Sequence, residues 1–149
     1  TDAEVLSSLV TTLEAGLAAT VIGVIAGVPM AYVLARRRFP GRRLVESLLT
    51  LPVVVPHTAA GVALLLVFGR RGVIGEALAP LGLRFTDTIA GVTVAMLFVG
   101  VPFLVSAARE AFSLVDVEIE RVALTDGATP WQAFFLVTLP AAWRGVRSS

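Results

Sequence analysis

The side chains able to do chemistry are few: His57 is the one histidine, cysteine is absent, and all 12 basic residues are arginine. A lone imidazole without thiolates gives no ligand cluster for zinc or copper, and no disulfide can form. Without lysine the chain cannot carry the Gly-rich loop ending in Lys-Ser or Lys-Thr that cradles nucleotide phosphates. ATP and its magnesium, if used, are held by another polypeptide. An intramembrane serine hydrolase would need a base and an orienting acid at membrane depth, and the apolar runs contain no acid to join His57. No catalytic residue and no metal site is assigned, and a net charge of +1 leaves no footprint for nucleic acid.

Residues 113–140 carry the richest pattern. Ser113-Leu114-Val115-Asp116 fits the Ser-x-x-acid opening of a helix. Val115, Ile119, Val122 and Ala123 then recur at helical spacing and define one apolar face. Gly127 is placed to end that helix in a left-handed cap. Immediately beyond, Thr129-Pro130-Trp131-Gln132 supplies a cap, a proline at the first helical position and a glutamine three residues after the cap. The second short helix presents Trp131, Phe134 and Phe135, and Leu139-Pro140 is expected to stop it. Two helices meeting at a Gly127 corner form a knob with an apolar body and a polar tip, suited to a groove on another protein. Trp131 and the two phenylalanines would equally anchor a hairpin on lipid headgroups. These residues alone leave both open.

The elements that hold this corner follow from composition. The chain is 56% hydrophobic and 15% charged, with a mean hydropathy of +0.88, more apolar surface than one core of 149 residues can hide. Lipid is the expected solvent. A spanning helix needs about 20 apolar residues, and the charge-free runs 15–35, 47–69 and 88–108 contain 21, 23 and 21. A fourth run, 127–143, has 17 residues interrupted by Gly127, Pro130, Gln132 and Pro140, and reads as a surface element. Arginine orients the spans: five lie in the linker at 36–43 and four in the segment after the third span, against three in the loop at 70–87. Short cytoplasmic loops collect positive charge, which places the linker and the corner in the cytoplasm. No basic n-region opens the chain, so the start reads as internal to a longer product.

Ala15, Ala19, Gly23, Gly27, Ala31 and Ala35 fall every four residues in the first run. Such a stripe lets another helix approach closely, with Ala19, Gly23 and Gly27 at its centre; alternatively, small residues are simply common in spans. Pro29 is expected to bend this helix. In the second run Pro52 and Pro56 remove backbone donors, which membranes tolerate where neighbours or a wet cavity satisfy the freed carbonyls. Pro56, His57 and Thr58 at that break are solute-pathway candidates, the other reading being a structural histidine bonding a freed carbonyl. Gly72, Gly75, Pro80 and Gly82 surround a short apolar turn at 73–81, expected to be a brief helix outside the membrane.

The stretch Arg121-Val122-Ala123-Leu124-Thr125-Asp126-Gly127, continuing to Leu139-Pro140, resembles the EAA loop of ABC-transporter permease subunits: Glu-Ala-Ala, three residues, Gly, nine residues, Ile, any residue, Leu-Pro. Ala123, Gly127, Leu139 and Pro140 are in register, and Val137 replaces the isoleucine. Arg121 stands at the glutamate position, with Glu120 one place earlier, and Val122 at the first alanine. Leu51-Pro52-Val53-Val54-Val55-Pro56-His57-Thr58-Ala59-Ala60-Gly61 is similar to the branch that imports molybdate and tungstate, whose close relatives carry sulfate. The resemblance implies an all-α membrane protein, the central part of a type I importer permease, with three transmembrane helices and a cytoplasmic coupling loop. It further implies a homodimer in the cell membrane, cytoplasmic ATPase subunits and an extracytoplasmic oxyanion-binding protein. Glu120, Ala123, Asp126, Gly127, Ala128 and Trp131 become the expected ATPase-coupling residues, and the chain itself is not expected to be an enzyme. A sulfate or other small-solute permease is the alternative, and a membrane anchor without transport is the rival from another class.

Overall fold

The computed structural model describes residues 2–147, the side chains of residues 3, 57 and 145–147 excepted. All regular elements among the described residues are helical. Helix α1, Asp2–Arg36, is 35 residues long, about 52 Å at the usual rise. It starts well before the charge-free run, and the polar first third turns its hydroxyls back onto the helix. The hydroxyls of Ser7, Ser8, Thr11 and Thr12 donate to carbonyls of the preceding turn. Asp2 and Glu4 at its start and Arg36 at its end complement the helix dipole.

Helices α2, Arg42–Val54, and α3, His57–Phe68, divide the run expected to form the second span. A single helix over 47–69 is therefore corrected to two helices with an extended joint. The cause is Pro56, which disfavours helical geometry in the residue before it; Val55 accordingly has ψ 131° and Pro56 ψ 138°. Backbone bonding resumes at once, with the Ala60 N–H donating to the Pro56 carbonyl at 2.9 Å. The 12 residues of α3 rise about 18 Å, short of a bilayer core of about 30 Å.

Helix α4, Val73–Leu78, and the 3₁₀ turn Ala79–Leu81 fill the brief helical segment expected between spans. Helix α5, Ile89–Ser113, follows a Thr88 cap whose Oγ1 accepts the Gly91 N–H at 3.2 Å. Beyond it lie α6, Val117–Thr125; α7, Pro130–Ala133; a π-helical turn, Phe134–Thr138; and α8, Leu139–Arg147. Glu4–Arg36 and Ile89–Ser113 are long and apolar enough to cross a membrane. Only 28% and 17% of their most apolar windows are buried, unlike the core helices of a soluble protein.

The chain forms two compact units: residues up to Gly27 with Pro40–Leu104, and Val28–Phe39 with the residues from Val105 on. In the first, Ala15, Ala19, Gly23 and Gly27 form the buried face of α1, while Leu13, Leu17 and Ile25 on other faces are about 70% exposed. A Cβ built at Gly23 would stand 3.6–3.8 Å from Leu97, Val101 and Leu104 of α5, so the small stripe brings these branched side chains close to the α1 backbone. A cleft of about 760 Å³ opens in this unit, with Leu64, Phe68, Phe85 and Ile89 in its wall and Asp87 its one charged lining residue.

The second unit is centred on aromatic packing. Tyr32 of α1 meets Phe112 of α5 at 5.7 Å and Phe134 of the π turn at 4.8 Å, both edge to face. Phe112 and Phe134 lie 5.9 Å apart. Ala31, Leu34, Val105, Val115, Ala133, Thr138 and Ala142 are buried in the same unit.

Candidate functional site

The corner between α6 and α7 is fixed from both sides. Gly127 has φ +94°, the left-handed geometry that glycine adopts without a Cβ penalty. The Ala128 N–H donates to the Ala123 carbonyl at 3.0 Å and the Gly127 N–H to the Leu124 carbonyl at 3.2 Å. This six-to-one and five-to-two pair is a Schellman closure, which satisfies carbonyls that the helix end would otherwise leave without partners. On the other side the Thr129 N–H donates to Gln132 Oε1 at 2.8 Å, and the Gln132 N–H donates to Thr129 Oγ1 at 3.3 Å, with Pro130 opening the helix. That reciprocal capping box is the one expected from the sequence.

Two local expectations are corrected. Asp116, not Ser113, caps α6: its Oδ1 accepts the Glu118 N–H at 2.9 Å. Ser113 is the last residue of α5, and its hydroxyl donates back to the Arg109 carbonyl at 2.8 Å. Nor does Leu139-Pro140 stop the second helix, which runs on through α8. A proline ring clashes with the carbonyl four residues back, and the π turn just before it widens the helix there. The Leu139 N–H reaches five residues to the Phe134 carbonyl.

A charged cluster ties α6 to α1. Glu120 is only 7% exposed. Its Oε1 accepts from Arg36 Nε at 2.9 Å and Nη2 at 2.8 Å, and its Oε2 accepts the Tyr32 hydroxyl at 3.1 Å. Arg36 Nη2 also donates to the Val115 carbonyl at 2.9 Å. Among the described residues no buried side-chain polar atom lacks a partner. The guanidinium thus holds both α6 and the chain just before it through a planar fork of donors.

The expected coupling residues separate into two groups. Asp126 and Gly127 are exposed at the tip, Ala128 is half-buried beside them, and the exposed Trp131 stacks on Phe135 at 6.0 Å. Ala123 is half-buried and supplies the carbonyl that closes the corner. Glu120 instead turns inward to Arg36. Of the apolar face expected on α6, Val115 is buried, Ala123 is half-buried, and Ile119 and Val122 are 49% and 58% exposed. Trp131, Phe135 and Leu136 are each more than half exposed. Tyr32 and Arg36 had no place among the expected site residues; their spacing of one helical turn at the charged end of a span is the signal that could have found them. Pro56 caps α3 and Thr58 is exposed in its first turn; the side chain of His57 lies outside the described residues.

Long, apolar and mostly unburied helices are the features of a helical membrane protein. Residues 19–148 match the family described as binding-protein-dependent transport system inner membrane component, and the chain belongs to that family. It is 37% identical over 147 residues to the molybdate/tungstate transport system permease protein WtpB of Thermococcus kodakarensis, covering 99% of this chain and 54% of the relative. The molybdenum transport system permease protein ModB of Mycobacterium tuberculosis is 39% identical over 142 residues, 95% of this chain and 54% of the relative. The sulfate transport system permease protein CysT of Escherichia coli is 37% identical over 140 residues, 94% and 50%. The chain spans about half the length of these relatives.

Proposed function

We propose that this chain is the coupling half of a permease for tetrahedral oxyanions, molybdate and tungstate foremost, in an importer driven by separate cytoplasmic ATPase subunits and fed by an external binding protein. The observation that carries this is the Gly127 corner, locked by both caps and flanked by exposed Ile119, Val122 and Trp131, in a chain similar to WtpB and ModB. Three spans are proposed: α1, the α2–α3 pair with its Pro56 joint, and α5. The corner lies on the arginine-rich cytoplasmic side, and a second copy completes the pore. ATP binding draws the ATPases together and carries the docked corners with them, and rigid helix motion opens the gate on the other face. The drive is the difference in interaction energy between the two states. Pro56, His57 and Thr58 line the solute route, where the interrupted helix leaves backbone groups for a hydrated ion.

The similarity to CysT supports sulfate as a second reading. Vesicles holding the full-length permease with its ATPase and binding protein separate the two. The expected result is ATP-dependent uptake of molybdate, competed by tungstate at lower concentrations than by sulfate. Competition in the opposite order favours sulfate, and absence of any ATP-driven oxyanion uptake refutes the proposal.

A further inference from the structure

The Gly127 corner could be bound by its partner and still transmit nothing unless its motion reaches a spanning helix. Its contacts reach two: Phe134 packs on Phe112 of α5, and a charged cluster ties α6 to the last turns of α1. Arg36, one-tenth exposed, takes both Glu120 on α6 and the Val115 carbonyl in the bend before α6. Tyr32, one turn earlier, takes the other Glu120 oxygen, and its ring sits against Phe112 and Phe134. These bonds are directional and charge-assisted, whereas apolar contacts between helices tolerate sliding. From Arg36 the helix is continuous back to Asp2.

We propose that Arg36 and Glu120, with Tyr32, are positioning residues that clamp the coupling corner to α1, so that α6 and the end of α1 move as one body during transport. This rests on the coupling reading above and adds the route: displacement of α6 enters the membrane through α1. Removing one charge would leave the other buried and threaten folding, so the informative variant removes both. Arg36→Met with Glu120→Leu takes away the clamp and leaves an apolar contact.

The test uses the full-length permease in its assembled transporter, and measures membrane abundance, ATPase retention, ATP hydrolysis and oxyanion uptake together. The double variant is expected to reach the membrane and retain the ATPase. Its uptake per ATP hydrolysed is expected to fall at least about tenfold, a change in coupling of about 1.4 kcal/mol. A purely structural role would lower abundance and leave that ratio unchanged. Arg36→Lys keeps the charge but loses the fork, and serves if the double variant does not accumulate; the same ratio is expected to fall severalfold. A native ratio in whichever of these variants accumulates overturns the clamp while the transport proposal stands. If the native complex itself imports no oxyanion, the transport proposal fails, and the clamp with it.

Discussion

Replacing Gly127 with valine is expected to cut uptake at least about fivefold, and ATPase retention with it, while membrane abundance stays near native. A Cβ at Gly127 would meet no heavy atom within 4 Å, so the cost is conformational. At φ +94° an L-residue loses about 1–2 kcal/mol, and a β-branched one is a genuine outlier there. A penalty of that size changes the population of the formed corner by a factor of about 5–30. Relaxing φ would break the Ala128 to Ala123 and Gly127 to Leu124 bonds that close the corner. Asparagine tolerates the left-handed region, so the expected order of uptake is Gly127, then Gly127→Asn, Gly127→Ala and Gly127→Val. Equal activity across that series would contradict a corner held in one geometry. The spans do not depend on the corner, which is why insertion should survive.

Removal of one partner from the buried pair should have the largest effect on stability. In Glu120→Leu the Arg36 guanidinium keeps the Val115 carbonyl but loses its counter-charge in a site where its side chain is 11% exposed. Breaking a buried pair in this way costs about 3–5 kcal/mol, whereas replacing both members by apolar groups is often nearly neutral. The Val115 carbonyl would still lose its donor, so the double variant is expected to recover most but not all of the loss. Thermal unfolding of the detergent-solubilised full-length permease measures this. A large drop for Glu120→Leu and a small one for the pair is the expected pattern, and two equal drops would show that the charges are not coupled.

What could be read from the residues was local. Gly127, Thr129, Pro130 and Gln132 announce a corner because each supplies a dihedral angle or a cap that its immediate neighbours need. The buried stripe of α1 was legible for the same reason, being a fixed spacing on one helix. Glu120 was not legible in this way. Helical periodicity ranks residues by hydropathy and gives no reason to bury a carboxylate, whereas the partner that draws Glu120 inside is Arg36, 84 positions earlier in the chain. The break at Pro56 was legible from the prolines themselves; the charge count over 47–69 gave no sign that it divides the run into two helices. Pro140 misled in the opposite sense, because the π turn before it accommodates the ring and lets the helix continue.

The most direct measurement is a crosslink at the tip of the corner. Asp126→Cys, in a full-length permease otherwise free of cysteine, places one thiol on an exposed residue beside Gly127. In membranes carrying the assembled transporter, a short bifunctional reagent should join that thiol to the ATPase subunit, with a yield that changes when ATP binds. Failure to capture the ATPase, or labelling of the thiol by an impermeant reagent added from outside the cell, would contradict the corner's role as the cytoplasmic coupling element.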